Sequence, residues 1–285
     1  MPSEGAAAAL ATQVSGGGGL EVPSDYQMKA AGEFAERLGK RRREHGAPVR
    51  TVFVADEEVD KPPLAKLLSS GAGGGGGRGG QLRVKLYVSL LWVCAKAPYD
   101  AVRPAVAWAA LLGLDDPAGR GVRRIQDTLK ELEDRQMVAL AEKPGHHTKV
   151  VLLNERGDGS AYRPPSDVHS QLASNGADDA ALREHRYFRI PSSVWTGGHI
   201  ADLSGPGIAM LLALLSEQRG RAAGPVWFSP SRATARFRFA PSTRSKGLGE
   251  LQRLDLVETS TKVISESGAF IDFSKRRHVH EVVGL

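Results

Sequence analysis

The chain has 285 residues, 41% of them apolar, and a formal net charge of +6 from 38 Lys and Arg against 32 Asp and Glu. That length allows two domains of ordinary size with real cores. Cys94 is the only cysteine, which excludes a disulfide-stapled scaffold and fits a reducing cytoplasm. No apolar run is long enough to span a bilayer, and no basic segment with an apolar core follows Met1, so neither a membrane protein nor a signal peptide is expected.

Residues 1–23 are rich in Ala and Gly and read as disordered. Residues 24–70 read as a basic helical N-terminal segment: a helix over 26–45, a short strand over 49–55, and an apolar stretch opened by Pro62 and Pro63. The helix ends in Lys40-Arg41-Arg42-Arg43. Such a cluster either touches phosphate or is a solvated helix end, and the second is commoner. Residues 71–80 form a Gly-rich linker. Gly74 to Gly79 fits a dinucleotide-binding spacing only because glycine is everywhere, and no strand precedes it.

From Gln81 to Arg156 the pattern is that of a first domain. Apolar residues at helical spacing run over 82–96, and Pro104 opens a second helix. Val122, Ile125, Leu129 and Leu132 mark one face of a third. Strands over 138–143 and 149–153 flank Pro144-Gly145-His146-His147, a hairpin tip. Residues 157–185 are polar and read as a linker.

A second domain, 186–285, repeats this order. Phe188 to Pro191 is extended. Ser204 precedes a helix bearing Ile208, Leu211, Leu212 and Leu215. Ser229-Pro230 starts a short helix to Phe237. A helix from Pro241 buries Leu248 and Leu251, with Leu254 or Leu256, and strands over 257–264 and 279–283 close a hairpin.

The repetition is visible in the letters. Leu129, Glu131, Leu132, Met137 and Val138 align with Leu248, Glu250, Leu251, Leu256 and Val257, each time where a helix gives way to a strand. Three helices followed by a hairpin is the order of a winged helix-turn-helix. The stretch from Ser242 to Val257 resembles the recognition helix and first wing strand of bacterial winged-helix regulators. The tandem arrangement over 81–285 resembles plasmid replication initiators. The fold class expected is therefore α+β, with two winged helix-turn-helix domains in tandem behind a flexible N-terminal extension.

The resemblance implies a non-enzymatic, sequence-specific binder of double-stranded DNA, nucleoid- or plasmid-associated in a bacterial cytoplasm, serving as a transcriptional regulator or a replication initiator. A protein–protein scaffold or partition factor is the alternative, with a homodimer through the first domain. Charge agrees with DNA: residues 186–285 hold 14 Lys and Arg against 8 Asp and Glu, and the remainder balances at 24 each. The outward, N-terminal part of the last helix offers Ser242, Thr243, Arg244, Ser245 and Lys246, with Gly249 open to close approach. The hairpin adds Lys275, Arg276 and Arg277. The first domain offers Arg120, Arg123 and Arg124, and also Asp127 and Lys130. Arginine pairs bidentately with guanine, whereas Lys and hydroxyls mostly hold phosphate.

No cofactor is called for. His146-His147 and His278 with His280 lack partners at zinc spacing, so no metal is expected. Trp195, Trp227, Phe228 and Phe237 read as core aromatics.

Overall fold

A scaffold of short elements comes first. The computed structural model describes residues 25–55, 61–69, 78–218, 224–227, 229–263 and 276–285. The expected disorder over 1–23, most of the glycine tract, Phe228 and Lys275 lie outside them. The chain begins with α1 (Asp25–Glu36) and α2 (Lys40–His45), which divide the single helix expected there. The stretch read as one strand over 49–55 becomes β1 (Ala47–Arg50) and α3 (Thr51–Val54), followed by α4 (Pro63–Leu68).

Next come α5 (Arg78–Val93), β2 (Asp100–Val102), α6 (Ala105–Leu111), α7 (Arg120–Asp134), β3 (Val138–Ala141) and β4 (Lys149–Leu152). The three strands form an antiparallel sheet in the order β2-β4-β3. The expected linker instead carries α8 (Pro165–Ser174) and α9 (Asp179–Glu184). Its polar composition hid them, although Asp178 caps α9 by accepting from the Ala181 amide at 2.8 Å.

The rest is β5 (Tyr187–Ile190), α10 (Ser193–Thr196), α11 (His199–Asp202), α12 (Gly205–Gln218), α13 (Pro230–Phe237), α14 (Pro241–Arg253), β6 (Val257–Val263) and β7 (Arg276–Val282). β6 and β7 pair antiparallel, and Val226 bridges His280 on the other side of β7. The order Val226-β7-β6 thus repeats β2-β4-β3. The class is α+β, with small antiparallel sheets.

The repeated motif has a backbone cause. Gln136 and Asp255 hold equivalent places, and both have left-handed φ, 56° and 53°. At the first, the amides of Gln136 and Met137 bond the Glu133 and Leu132 carbonyls; at the second, those of Asp255 and Leu256 bond the Gln252 and Leu251 carbonyls. This pair of bonds satisfies carbonyls that the helix end would leave bare, and an apolar contact normally seals it. Leu132 and Met137, like Leu251 and Leu256, are buried. The spacing of the aligned leucines and methionine is the sequence trace of that cap.

The aligned glutamates also act alike. Glu131 on α7 pairs with Arg83 on α5, whose guanidinium further donates to the Leu67 and Ser69 carbonyls at 2.9 and 2.7 Å. Glu250 on α14 accepts from the Ser204 amide at 2.6 Å and from the Ser204 hydroxyl. In each unit the third helix is tied to the start of the first. Glu250 is buried, so the inward face of α14 is partly polar where a leucine stripe was expected.

The two units share one core, a departure from two separate domains. From Gly207 to Leu214 every residue of α12 is buried. Such a helix needs neighbours on all sides. α12 meets α5, α14, β5 and α3. Trp92 of α5 stacks on Trp195 of α10 at 4.7 Å, and the Trp195 indole donates to Ser89 at 2.8 Å. β1 joins this core by pairing antiparallel with β5, 137 residues later in the register Arg50↔Tyr187. Arg50, fully buried, pairs with buried Glu155 and donates to the Arg163 carbonyl at 2.7 Å. Burial pushes the Glu155 carboxyl up, and Arg50 opposes it.

α14 lies close on α12 because Gly247 faces Pro206 and Met210 of that helix without a side chain. A Cβ at Gly247 would sit 2.6 Å from Met210 Cγ and closer still to the Pro206 carbonyl oxygen, whereas one at Gly249 would meet nothing within 4 Å. We therefore expect Gly247→Ala to destabilise the protein by about 1–3 kcal/mol through overpacking. Gly249→Ala should leave stability unchanged or raise it by up to ~1 kcal/mol through helix propensity. Urea unfolding of both variants checks this; equal effects would contradict the packing.

Candidate nucleic-acid interface

Two helices hold the residues singled out by sequence, and their N-termini differ. α7 starts beneath the carboxylate of Asp116. That group accepts from the amides of Arg120 at 2.9 Å and Gly119 at 3.1 Å, and these bonds, the Arg120 one foremost, hold it below the usual carboxylate range. Arg120 lies 3.8 Å from the same carboxylate, and Arg123 lies 4.0 Å from Asp127. Arg124 and Lys130 are exposed and are in no described ion pair. The positive end of α7 is thus already answered from within the chain.

α14 starts differently. Ala240 precedes it with no side-chain cap, Pro241 sits in the first turn, and the first turn contains no acid. Its polar face opens to solvent. Ser242, Ser245 and Lys246 are exposed, and Thr243 is half-buried. Arg244 is half-buried with its stem along a small apolar groove lined by Met210, Ala233, Phe237, Phe239 and Pro241, the placement its position near the inward stripe predicts. Pro241 has no amide hydrogen, and the Thr243 and Arg244 amides bond the Ala240 carbonyl at 2.9 and 3.2 Å, so it is the positive helix dipole, with no acid to answer it, that favours an anion at such an end.

The hairpin is aligned with α14 by a short chain of polar contacts. Gln252 donates to the Thr259 hydroxyl at 2.7 Å, and Thr259 lies 2.9 Å from His280 Nδ1. On the hairpin, Arg276 is exposed and Arg277 is half-buried, its guanidinium 5.4 Å above the Trp227 ring. The register sets exposed Lys262 opposite Arg277, a cation that sequence reading missed. Only strand pairing could have shown it, because Lys262 lies in a run of hydroxyl residues. Lys275 falls outside the described residues. Phe237 and Trp195 are buried in the core, as expected, and Trp227 is half-buried under Arg277.

Among the described residues, no cluster of three His, Cys, Asp or Glu is placed to hold a metal ion, and no helix is long and apolar enough to cross a membrane. No family model, curated protein or solved structure matches the chain.

His280 sits where hairpin and helix meet. Burial, then His278 and Arg244, pull its pKa below the ordinary histidine value. The unfolded chain therefore binds the proton more readily, so the neutral ring contributes stability at pH 7 that is lost as pH falls below about 6.5. We expect His280→Gln to flatten the acid limb of the pH–stability profile. A wild-type His280 that titrates by NMR at or above about 6.5 would contradict the placement.

Proposed function

We propose that the chain is a sequence-specific double-stranded DNA-binding protein built from two winged-helix units, and that its second unit reads the DNA. The observation that carries this reading is the open, basic N-terminal face of α14 beside a cationic hairpin: Ser242, Ser245 and Lys246 are exposed and the helix start has no acid. A helix presented in this way suits the major groove, with the hairpin over the neighbouring backbone. The repeated element order and matching strand order support the winged-helix assignment. So does the basic excess of residues 186–285.

The first unit has a different part in this reading. Arg120 and Arg123 are engaged by carboxylates of their own helix region, and Asp116 occupies the helix start. Arg124 and Lys130 contribute at most general attraction to phosphate. The unit acts chiefly as a partner surface and a mount for α12. Acting on repeated or single target sites, the protein serves as a transcriptional regulator or a replication initiator in this proposal. Selection from a random duplex library distinguishes specific binding from general attraction to DNA.

Two variants separate reading from holding. Lys246→Ala should reduce discrimination between selected and random duplex by about 1–3 kcal/mol if the ammonium meets a base edge. Replacing Arg276 and Arg277 with Ala should weaken both duplexes alike and make the log–log salt slope shallower by up to ~1.8, or about 0.9 per phosphate. Affinity for both duplexes across a salt series, with melting curves as fold controls, is the readout. Hairpin variants that change sequence preference while Lys246→Ala does not would reverse the assignment of helix and hairpin.

A further inference from the structure

Counted along the sequence, residues 1–185 are electrically neutral. The fold undoes that neutrality locally. Arg37 just after α1, Arg41 and Arg42 on α2, Lys96 after α5, Arg103 before α6 and Arg189 on β5 come from separate stretches of the chain, around residues 40, 100 and 189, yet they converge. Arg103 feels the charge of Arg37, and Arg42 feels those of Arg189 and Arg41. A Cβ at Gly39 would lie 3.8 Å from Lys96 Cε. The Ser192 hydroxyl donates to the Arg42 carbonyl at 2.8 Å, and Pro48 pairs with Arg189 across β1 and β5.

Of the carboxylates near this surface, Glu33 and Glu36 of α1 are exposed, and two others are engaged by cations outside it. Glu44 lies 3.8 Å from Lys40, and Asp100 lies 2.5 Å from Lys149. Among the described residues, none of the six cations is in an ion pair. Two of them are held in place by aromatic rings: Arg103 lies 6.0 Å over Phe34, and Arg189 lies 5.6 Å over Tyr187. Burial and neighbouring cations lower the pKa of Arg42 and of Arg103, with burial the larger cause in both. Six cations outnumber the two free carboxylates beside them, Glu33 and Glu36; like charges in such excess repel one another, and an external polyanion relieves that cost.

We propose that this surface is a second, sequence-independent contact for the phosphate backbone of duplex DNA, formed by α1, α2, the loops after α5 and before α6, and β5. It rests on the DNA-binding reading and adds to it a surface of which the sequence shows only the Lys40 to Arg43 run. Oriented guanidiniums match phosphate oxygens in pairs, which a solvated lysine run does not.

The test uses the full chain and a random-sequence duplex. Arg37, Arg41 and Lys96 are exposed, so replacing all three with Ala should leave the fold intact, which a melting curve checks. Loss of three phosphate contacts should make the log–log salt slope shallower by up to ~2.7, from about 0.9 per contact, with unchanged preference between selected and random duplex. A slope equal to that of wild type overturns the proposal. If it stays equal while replacing Arg276 and Arg277 weakens binding, the second surface fails and the α14 reading stands. If the triple variant flattens the slope and the hairpin variant does not, the α14 reading fails and this surface stands. Absence of any duplex binding by wild type at low salt sinks both.

Discussion

The burial of α12 on every side is the constraint on which the rest depends. A helix carrying Ile208, Met210, Leu211, Leu212 and Leu214 at or below 1% exposure has no face to offer water. Each fully buried side chain of this size contributes about 1.5–3 kcal/mol, so the sum is large against the marginal stability of a folded chain. The helix must therefore be enclosed by α5 of the first unit as well as by α14 of its own. That enclosure turns two similar units into one body and sets α14 at a fixed place on it. Gly247 lets the two helices approach, Gly207 leaves room for the Glu250 carboxylate, and Glu250 locks the register by accepting from both the amide and the hydroxyl of Ser204.

A second distinction, between the two repeats, is electrostatic. Both third helices end in the same cap and are tied by the same glutamate, so their scaffolding is equivalent. Their beginnings are not. Asp116 supplies α7 with a carboxylate on two amides, which removes the helix start from competition for outside anions. α14 has a proline and hydroxyl residues there instead. The proposed division of labour follows from that difference in side-chain chemistry on nearly the same backbone.

Much of this was legible in the letters, and the reasons are local. Leu129 to Val138 and Leu248 to Val257 announced helix, cap and strand because each step is fixed by neighbours within six residues. The long third helices and the hairpins followed from apolar spacing. Contacts between distant residues were not legible. β1 pairs with β5 across more than a hundred residues, β2 has three residues, and Val226 makes a single bridge, so none leaves a periodic trace. α8 and α9 are short and polar, and read as linker. Of the Arg37 to Arg189 surface only the Lys40 to Arg43 run was visible, for the same reason: counting charge along a chain cannot show which residues the fold brings together. At α14 the exposed Ser242, Ser245 and Lys246 were legible from helical phase, whereas Lys262 needed the register of β6 on β7.

Amide hydrogen exchange of the full chain, with and without duplex DNA at low salt, tests the central claim most directly, because it reports where the duplex sits without removing any side chain. The account requires slowed exchange at the start of α14, over Ser242 to Lys246, and along β7 from Arg276, with little change at the start of α7, where Asp116 already holds the amides. Protection confined to α7, or exchange at α14 and β7 that the duplex leaves untouched, would contradict it.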